Sequence, residues 1–157
     1  MIVLLRIDDR LIHGQVVVGW AAALAPDRIV LADDDVAADD WERNLYAAAA
    51  GPELKVSVLS LKEAADQLRG GVFDRERVIV VVRHPRGVAT LMRLGLDVRE
   101  VNVGGLHFRP GTEKLADGVF LDDEERAILR EFVKSGLRLD GRALPTSEPV
   151  TLNSRVV

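Results

Sequence analysis

The sequence predicts a single open α/β domain: a mainly parallel sheet of about seven strands with helices on both faces. Three observations point there. Short β-rich runs alternate with helix-patterned segments along the chain. The first five runs are nearly continuous in Val, Ile and Leu, the pattern of strands covered on both faces. The length of 157 residues suits one domain, residues 1–157, and the composition, 48% apolar but only 4% aromatic, calls for an aliphatic core.

The elements follow in order. IVLLRI (2–7) is the first strand. Residues 15–25, after His13-Gly14, form a helix that packs Val16, Val17, Val18 and Trp20 on the sheet. RIVLA (28–32) is the second strand, and DDWERNLYAAAA (39–50) is a helix closed by Gly51-Pro52. Trp41 and Leu45 stand at i, i+4 spacing and are expected to pack inward. KVSVLS (55–60) is the third strand, and Ser60-x-x-Glu63 is a capping box opening LKEAADQLR, which stops at Gly70-Gly71. VIVVVR (78–83) is the fourth strand; a helix from Arg86 to Leu94 follows Pro85 and stops at Gly95. EVNV (100–103) is the fifth. GVFL (118–121) and LRLDGRAL (137–144) are expected as an antiparallel edge. The helix between them opens on Asp122-Asp123-Glu124-Glu125, acidic residues at its positive end.

Composition excludes some functions. A net charge of −4 argues against nucleic acid or anionic membrane as a partner, since both call for a basic face. The absence of cysteine excludes disulfides and thiolate metal sites and fits a reducing compartment. The longest apolar run, Val16 to Pro26, falls short of the roughly 20 residues that span a bilayer. If the protein works at a membrane, another chain takes it there.

Ligands of open α/β sheets sit beyond the carboxyl ends of the strands. His13 follows the first strand, His84 the fourth and His107 the fifth, so all three belong near one edge. The stretch RIDDRLIHGQV (6–16) places Asp8, Asp9, Arg10 and His13 just before Gly14 and a helix start. A helix N-terminus has free amides and a positive dipole end that favour phosphate. Gly14 lets backbone approach a ligand, and Arg10 offers a bidentate fork to phosphoryl oxygens. Asp8 and Asp9 would repel phosphate directly and suit the task of holding Arg10 or an imidazole nitrogen. Taken alone, these residues leave three readings open: local ion pairs of a polar loop, a phosphoryl site on His13, or a metal site on three histidines with Asp8 or Asp9. Trp20, Arg83, His84 and His107 are candidates for a docking surface or pocket rim. The Asn102-Val103-Gly104-Gly105 stretch reads as a phosphate-approach loop or a flexible turn after the strand, with Gly104 and Gly105 as candidates for a pocket rim.

RIDDRLIHGQV resembles the phosphorylation-site motif of the IIB subunits of the mannose/fructose/sorbose family of the bacterial sugar phosphotransferase system. DDDVAADD, VNVGGLHFRPG (101–111) and GLRLDGRALPTSEPV (136–150) support the resemblance, which covers nearly the whole chain. It implies an α/β domain with a mainly parallel sheet. It implies that His13 accepts a phosphoryl group on Nδ1 from a phosphohistidine of a IIA protein and passes it to a sugar entering through the membrane subunits IIC and IID. By the same resemblance Asp8, Arg10, Gly14 and Gln15 are phosphate-site residues, no metal or cofactor is used, and the protein is cytoplasmic, reaching the membrane only through partner subunits. His84 is not part of the family pattern. Two alternatives stand beside this reading: a regulatory phosphohistidine module that serves no sugar transport, and a metal-dependent hydrolase using His13, His84 and His107.

Overall fold

The computed structural model describes residues 1–157, and its centre is a six-stranded sheet in which every neighbouring pair is parallel. The strands are β1 (Ile2–Asp8), β2 (Arg28–Ala32), β3 (Lys55–Leu59), β4 (Val78–Val82), β5 (Glu100–Gly105) and, after a separate hairpin of β6 (Glu113–Ala116) and β7 (Val119–Leu121), β8 (Arg138–Asp140). Their order is β3-β2-β4-β1-β5-β8.

Helices cover both faces, and strand alternation shows why. Ile29, Leu31, Ile79 and Val81 point to one side. There they meet Val16 and Trp20 of α1 (residues 15–24, π-wound over Gln15–Ala21), Val36 of α2 (Asp34–Ala37) and, at the margin, Tyr46 of α3 (Asp40–Ala49). Val30, Ala32, Val78, Val80 and Val82 point to the other side. They pack on α4 (Leu61–Arg69) and α5 (Pro85–Arg93), and the same core continues to α6 (Asp123–Lys134), which lies against β7 and β8, and to α7 (Asn153–Val156) beside α6. The period of two thus places successive residues of an all-apolar strand in two different cores.

Helix starts follow local chemistry. Ser60 and Glu63 form the expected capping box on α4, and Asp122 with Glu125 forms a second on α6. His84 caps α5 by accepting the Arg86 amide at Nδ1, with Pro85 in the first helical position.

The far edge differs from expectation. Residues 118–121 do not join the main sheet, which therefore has six strands; β7 pairs antiparallel with β6 across Gly118. Leu106 steps out beyond β5 and ties to this hairpin through its amide to Gly118 O and its carbonyl to the Phe120 amide. β8 is parallel to β5, because the 12-residue α6 carries the chain back along the sheet before the strand begins.

β1 sits between β4 and β5. The chain leaves β1 toward β2 on one side, and leaves β5 toward β8 on the other. The crevice beyond β1 and β5 is thus the point where connections diverge, which is where such sheets bind ligands.

Candidate functional site

Arg6 lies in the middle of an apolar strand and is fully buried, so its charge has to be answered inside the protein. The i, i+2 relation places Asp8 on the same face. Arg6 donates Nε and Nη2 to Oδ2 of Asp8 at 3.1 and 2.9 Å. Its Nη1 donates to Oδ1 of Asn102, its register partner on β5, at 2.6 Å and to the carbonyl of Ala143 at 3.2 Å. Asn102 is anchored in turn, donating Nδ2 to Oδ2 of Asp140 and to the carbonyl of Arg142. The Trp20 ring lies 5.9 Å from the guanidinium of Arg6 and 5.3 Å from that of Arg142, while its Nε1 donates to the Ala143 carbonyl. Burial lowers Arg6 from its ordinary pKa, and Asp8 opposes that shift.

Two glycines make room for this pair. A Cβ on Gly104 would overlap the Arg6 guanidinium, and one on Gly105 would lie 2.7 Å from Asp8 Oδ1. Both glycines are buried strand residues, so they form neither a phosphate-approach loop nor a rim: their missing side chains are the space that Arg6 and Asp8 occupy. Trp20 is likewise buried and cannot meet a docking partner.

Beyond β1 the chain turns sharply. Leu11 is buried with φ 59°, a left-handed conformation that costs a leucine roughly 1–2 kcal/mol. Its amide bonds back to the Asp8 carbonyl. The turn returns His13 to Asp8, with Nε2 2.6 Å from Oδ2. A buried carboxylate only accepts, so the proton is on Nε2 and Nδ1 carries the lone pair. Nδ1 meets only the Gln15 amide, at a long 3.3 Å. The ring is 16% exposed. Burial works against the charge of Asp8, but the His13 hydrogen bond, the Arg6 charge and the Arg10 amide outweigh it and hold the carboxyl below its ordinary value.

The neighbours of His13 remain accessible. Arg10 is exposed; Nη2 donates to Gln15 Oε1 at 2.8 Å, and Nε stands 3.9 Å from Asp8 Oδ1. Nothing lies within 4 Å of where a Gly14 side chain would project. The start of α1 has no side-chain cap; the Gln15 amide turns to His13 Nδ1 and the Val17 amide to the His13 carbonyl, so the helix opens directly on this imidazole.

Asp9 serves a different imidazole: its carboxylate meets the amide and Nδ1 of His107 at 2.8 and 2.6 Å. His84 Nε2 faces Oε2 of buried Glu125 at 3.5 Å, and that oxygen has no hydrogen-bond partner. Arg83 pairs with Asp33. The three histidines follow adjacent strands, yet each has its own carboxylate, and no three His, Asp or Glu side chains converge on a common point. The metal-hydrolase reading therefore lacks a ligand set.

Arg6, Asp140 and Arg142 are absent from the sequence candidates, and Asn102 stands among them only as part of a phosphate-approach loop or turn, not as a strand residue that holds Arg6. Arg6 carried a readable signal: an arginine inside a strand covered on both faces requires a buried acid, and Asp8 was two residues away.

The family model described as PTS system sorbose subfamily IIB component matches residues 2–156. The chain is 36% identical over 155 residues to the sorbose-specific EIIB component of Klebsiella pneumoniae, covering 99% of this chain and 94% of that one. It is 32% identical over 143 residues to the mannose-specific EIIAB component of Escherichia coli, covering 91% of this chain and 44% of that one. The crystal structure of the IIBSor domain of the Klebsiella pneumoniae sorbose permease matches with a TM-score of 0.90 at 36% identity, over 99% of this chain and 96% of that one.

Proposed function

This chain belongs to the sorbose-subfamily IIB components of the sugar phosphotransferase system, and on that premise we propose that His13 is its phosphoryl carrier. The activity is transfer of a phosphoryl group, by way of phosphohistidine, to a sugar. The reading is carried by one observation: Nε2 of His13 is held at 2.6 Å by an ionised, buried Asp8, which leaves Nδ1 as the nucleophile.

In the charging step the Nδ1 lone pair attacks the phosphorus of a phosphohistidine on IIA. The new N–P bond forms as the donor's N–P bond breaks, and its electron pair returns to the donor imidazole. Positive charge develops on the His13 ring, and the Asp8 carboxylate stabilises it through Nε2–H. Arg6 keeps Asp8 ionised and fixed. Arg10 and the first amides of α1 are placed to receive the phosphoryl oxygens, Arg10 through its planar fork. In the discharge step a sugar hydroxyl attacks the same phosphorus, its proton is lost, and Nδ1 regains its lone pair.

The partners follow from this chemistry. The donor is a IIA protein or domain; the mannose-specific relative carries an A part in one chain with its B part. The acceptor side is the IIC and IID membrane subunits with their sugar. No helix of this chain is long and apolar enough to cross a membrane; on the reading proposed here it meets that complex as a peripheral component.

The test is phosphoryl transfer from labelled phospho-IIA, with mapping of the modified atom. Label on Nδ1 of His13, lost on adding sugar with IIC and IID membranes, is the expected result. Label on another residue refutes the assignment. Charging with no sugar-dependent discharge marks a regulatory carrier instead.

A further inference from the structure

Resting on the reading that His13 discharges at membrane subunits, we infer that residues 34–45, the α2–α3 segment, form the surface on which a basic cytoplasmic loop of those subunits docks. The first observation is a helix with its apolar side outward. No residue within α3 is buried, and Trp41 and Leu45 are 72% and 49% exposed. With Ala48 one turn further on, also exposed, they form a stripe on one helix face. Tyr46, not these residues, packs toward the sheet. The expectation that Trp41 and Leu45 point inward is therefore reversed. A solvent-facing tryptophan with an aliphatic neighbour is the kind of anchor around which protein interfaces concentrate binding energy.

The second observation is charge. Residues 34–45 hold five carboxylates (Asp34, Asp35, Asp39, Asp40, Glu42) against one arginine, Arg43, a net of −4. The whole chain has 25 acidic and 21 basic groups, also a net of −4, so the rest balances at 20 of each sign. Residues 34–45 thus carry an acidic excess equal to that of the whole protein. An apolar centre with a charged rim has the anatomy of an interface, and its sign selects a basic partner. Cytoplasmic loops of membrane proteins have an excess of Lys and Arg. A second copy of this chain would bring carboxylates against carboxylates, and the anionic lipid surface would be repelled.

The third observation is position. α2 begins just past the carboxyl end of β2, the edge that carries His13, and only β4 separates β2 from β1. At about 4.8 Å per strand, the two strand ends lie roughly 10 Å apart. A loop docked on the α2–α3 segment therefore approaches the sheet edge that carries the phosphoryl carrier.

The test uses the intact chain, phospho-IIA, and vesicles carrying the membrane subunits, with two variants: Trp41→Ala/Leu45→Ala and Asp35→Asn/Asp40→Asn. Charging by phospho-IIA without membranes is expected to match wild type in both, which also shows that both fold. Sugar-dependent discharge is expected to need about tenfold more of either variant for half-maximal rate, with the saturating rate unchanged. The Asn variant should also lose most of the salt dependence of wild type. Unchanged discharge refutes the surface alone. A fall in charging instead assigns the face to IIA, and a wild-type dimer that both variants abolish assigns it to a second copy; either overturns the proposal. A wild-type chain that phospho-IIA never charges refutes the phosphotransfer reading itself, and this surface with it.

Discussion

His13 and His84 are built alike, but the tightness of their contacts is reversed. Each ends the loop after a parallel strand, each accepts at Nδ1 from the amide two residues on, and each turns Nε2 toward a fully buried carboxylate held by an arginine. At His13 the Nε2 contact is 2.6 Å, the carboxylate is gripped by a buried arginine, and the Nδ1 contact is loose at 3.3 Å. At His84 the tightness is reversed: 3.0 Å at Nδ1, 3.5 Å at Nε2, and an arginine, Arg109, that is 44% exposed. The first arrangement orients a ring and leaves its lone pair only loosely engaged. The second spends the lone pair on a helix cap. A histidine beside a carboxylate is therefore not by itself a nucleophile; what counts is which nitrogen is tied down.

The sharpest way to break this comparison is to exchange the losses. His13→Ala is expected to abolish phosphorylation by phospho-IIA, and His84→Ala to leave it at wild-type level, both read by label incorporation. Label on His84 in the His13→Ala protein would erase the distinction. Next in size is stability. Arg6→Met leaves Asp8 charged and buried without the arginine that grips it and should cost about 3–5 kcal/mol in urea unfolding. Arg109→Met removes a half-exposed partner and should cost about 1 kcal/mol or less. Equal losses would mean that the two carboxylates are held equally firmly. Third, Arg10→Ala should slow charging by roughly two to three orders of magnitude without changing the unfolding midpoint, and Arg10→Lys should not restore it.

The smallest effect expected is a pH dependence. Burial first, then the charge of Arg86, push the His84 imidazole below its ordinary pKa, against the pull of Glu125, Glu124 and Asp122. The folded protein therefore favours neutral His84 more than the unfolded chain does. Its contribution to stability is full above the ordinary value near 6.5 and is lost as pH falls through the lower folded value. Asp8 behaves in the opposite range: its folded pKa is depressed, so its contribution holds above about 3.9 and fades only at more acidic pH. Between pH 7.5 and 5.5 the melting temperature of wild type should fall slightly more than that of His84→Gln. Parallel curves would show that His84 is not held neutral by its surroundings.

The strands of the main sheet were legible because residues buried on both faces leave continuous apolar runs, and the capping box at Ser60 is local chemistry. β6 was not, since EKLA has no β-branched residue and forms a strand only through its hairpin with β7. Of the two tryptophans, Trp20 packs on the sheet as the sequence predicts, whereas Trp41 faces the opposite way from the expected one. Spacing shows that Trp41 and Leu45 share a face but not which way it points, and Trp20 is held inside by a carbonyl 123 residues away. The same limit hid half of the site. RIDDRLIHGQV displays Asp8 and His13 within one loop, whereas the pairing of Arg6 with Asn102 depends on the register of β1 against β5.

The fit of Arg6 into the space above Gly104 has a consequence for descent as well as for chemistry. Any side chain gained at 104 evicts the arginine, and any smaller residue at 6 strands a buried carboxylate. A lineage can replace this pair only by passing through a crippled ancestor or by changing both codons at once. Divergence toward new sugars and new partners is therefore channelled away from this pair and onto the outer surface, where single changes are survivable.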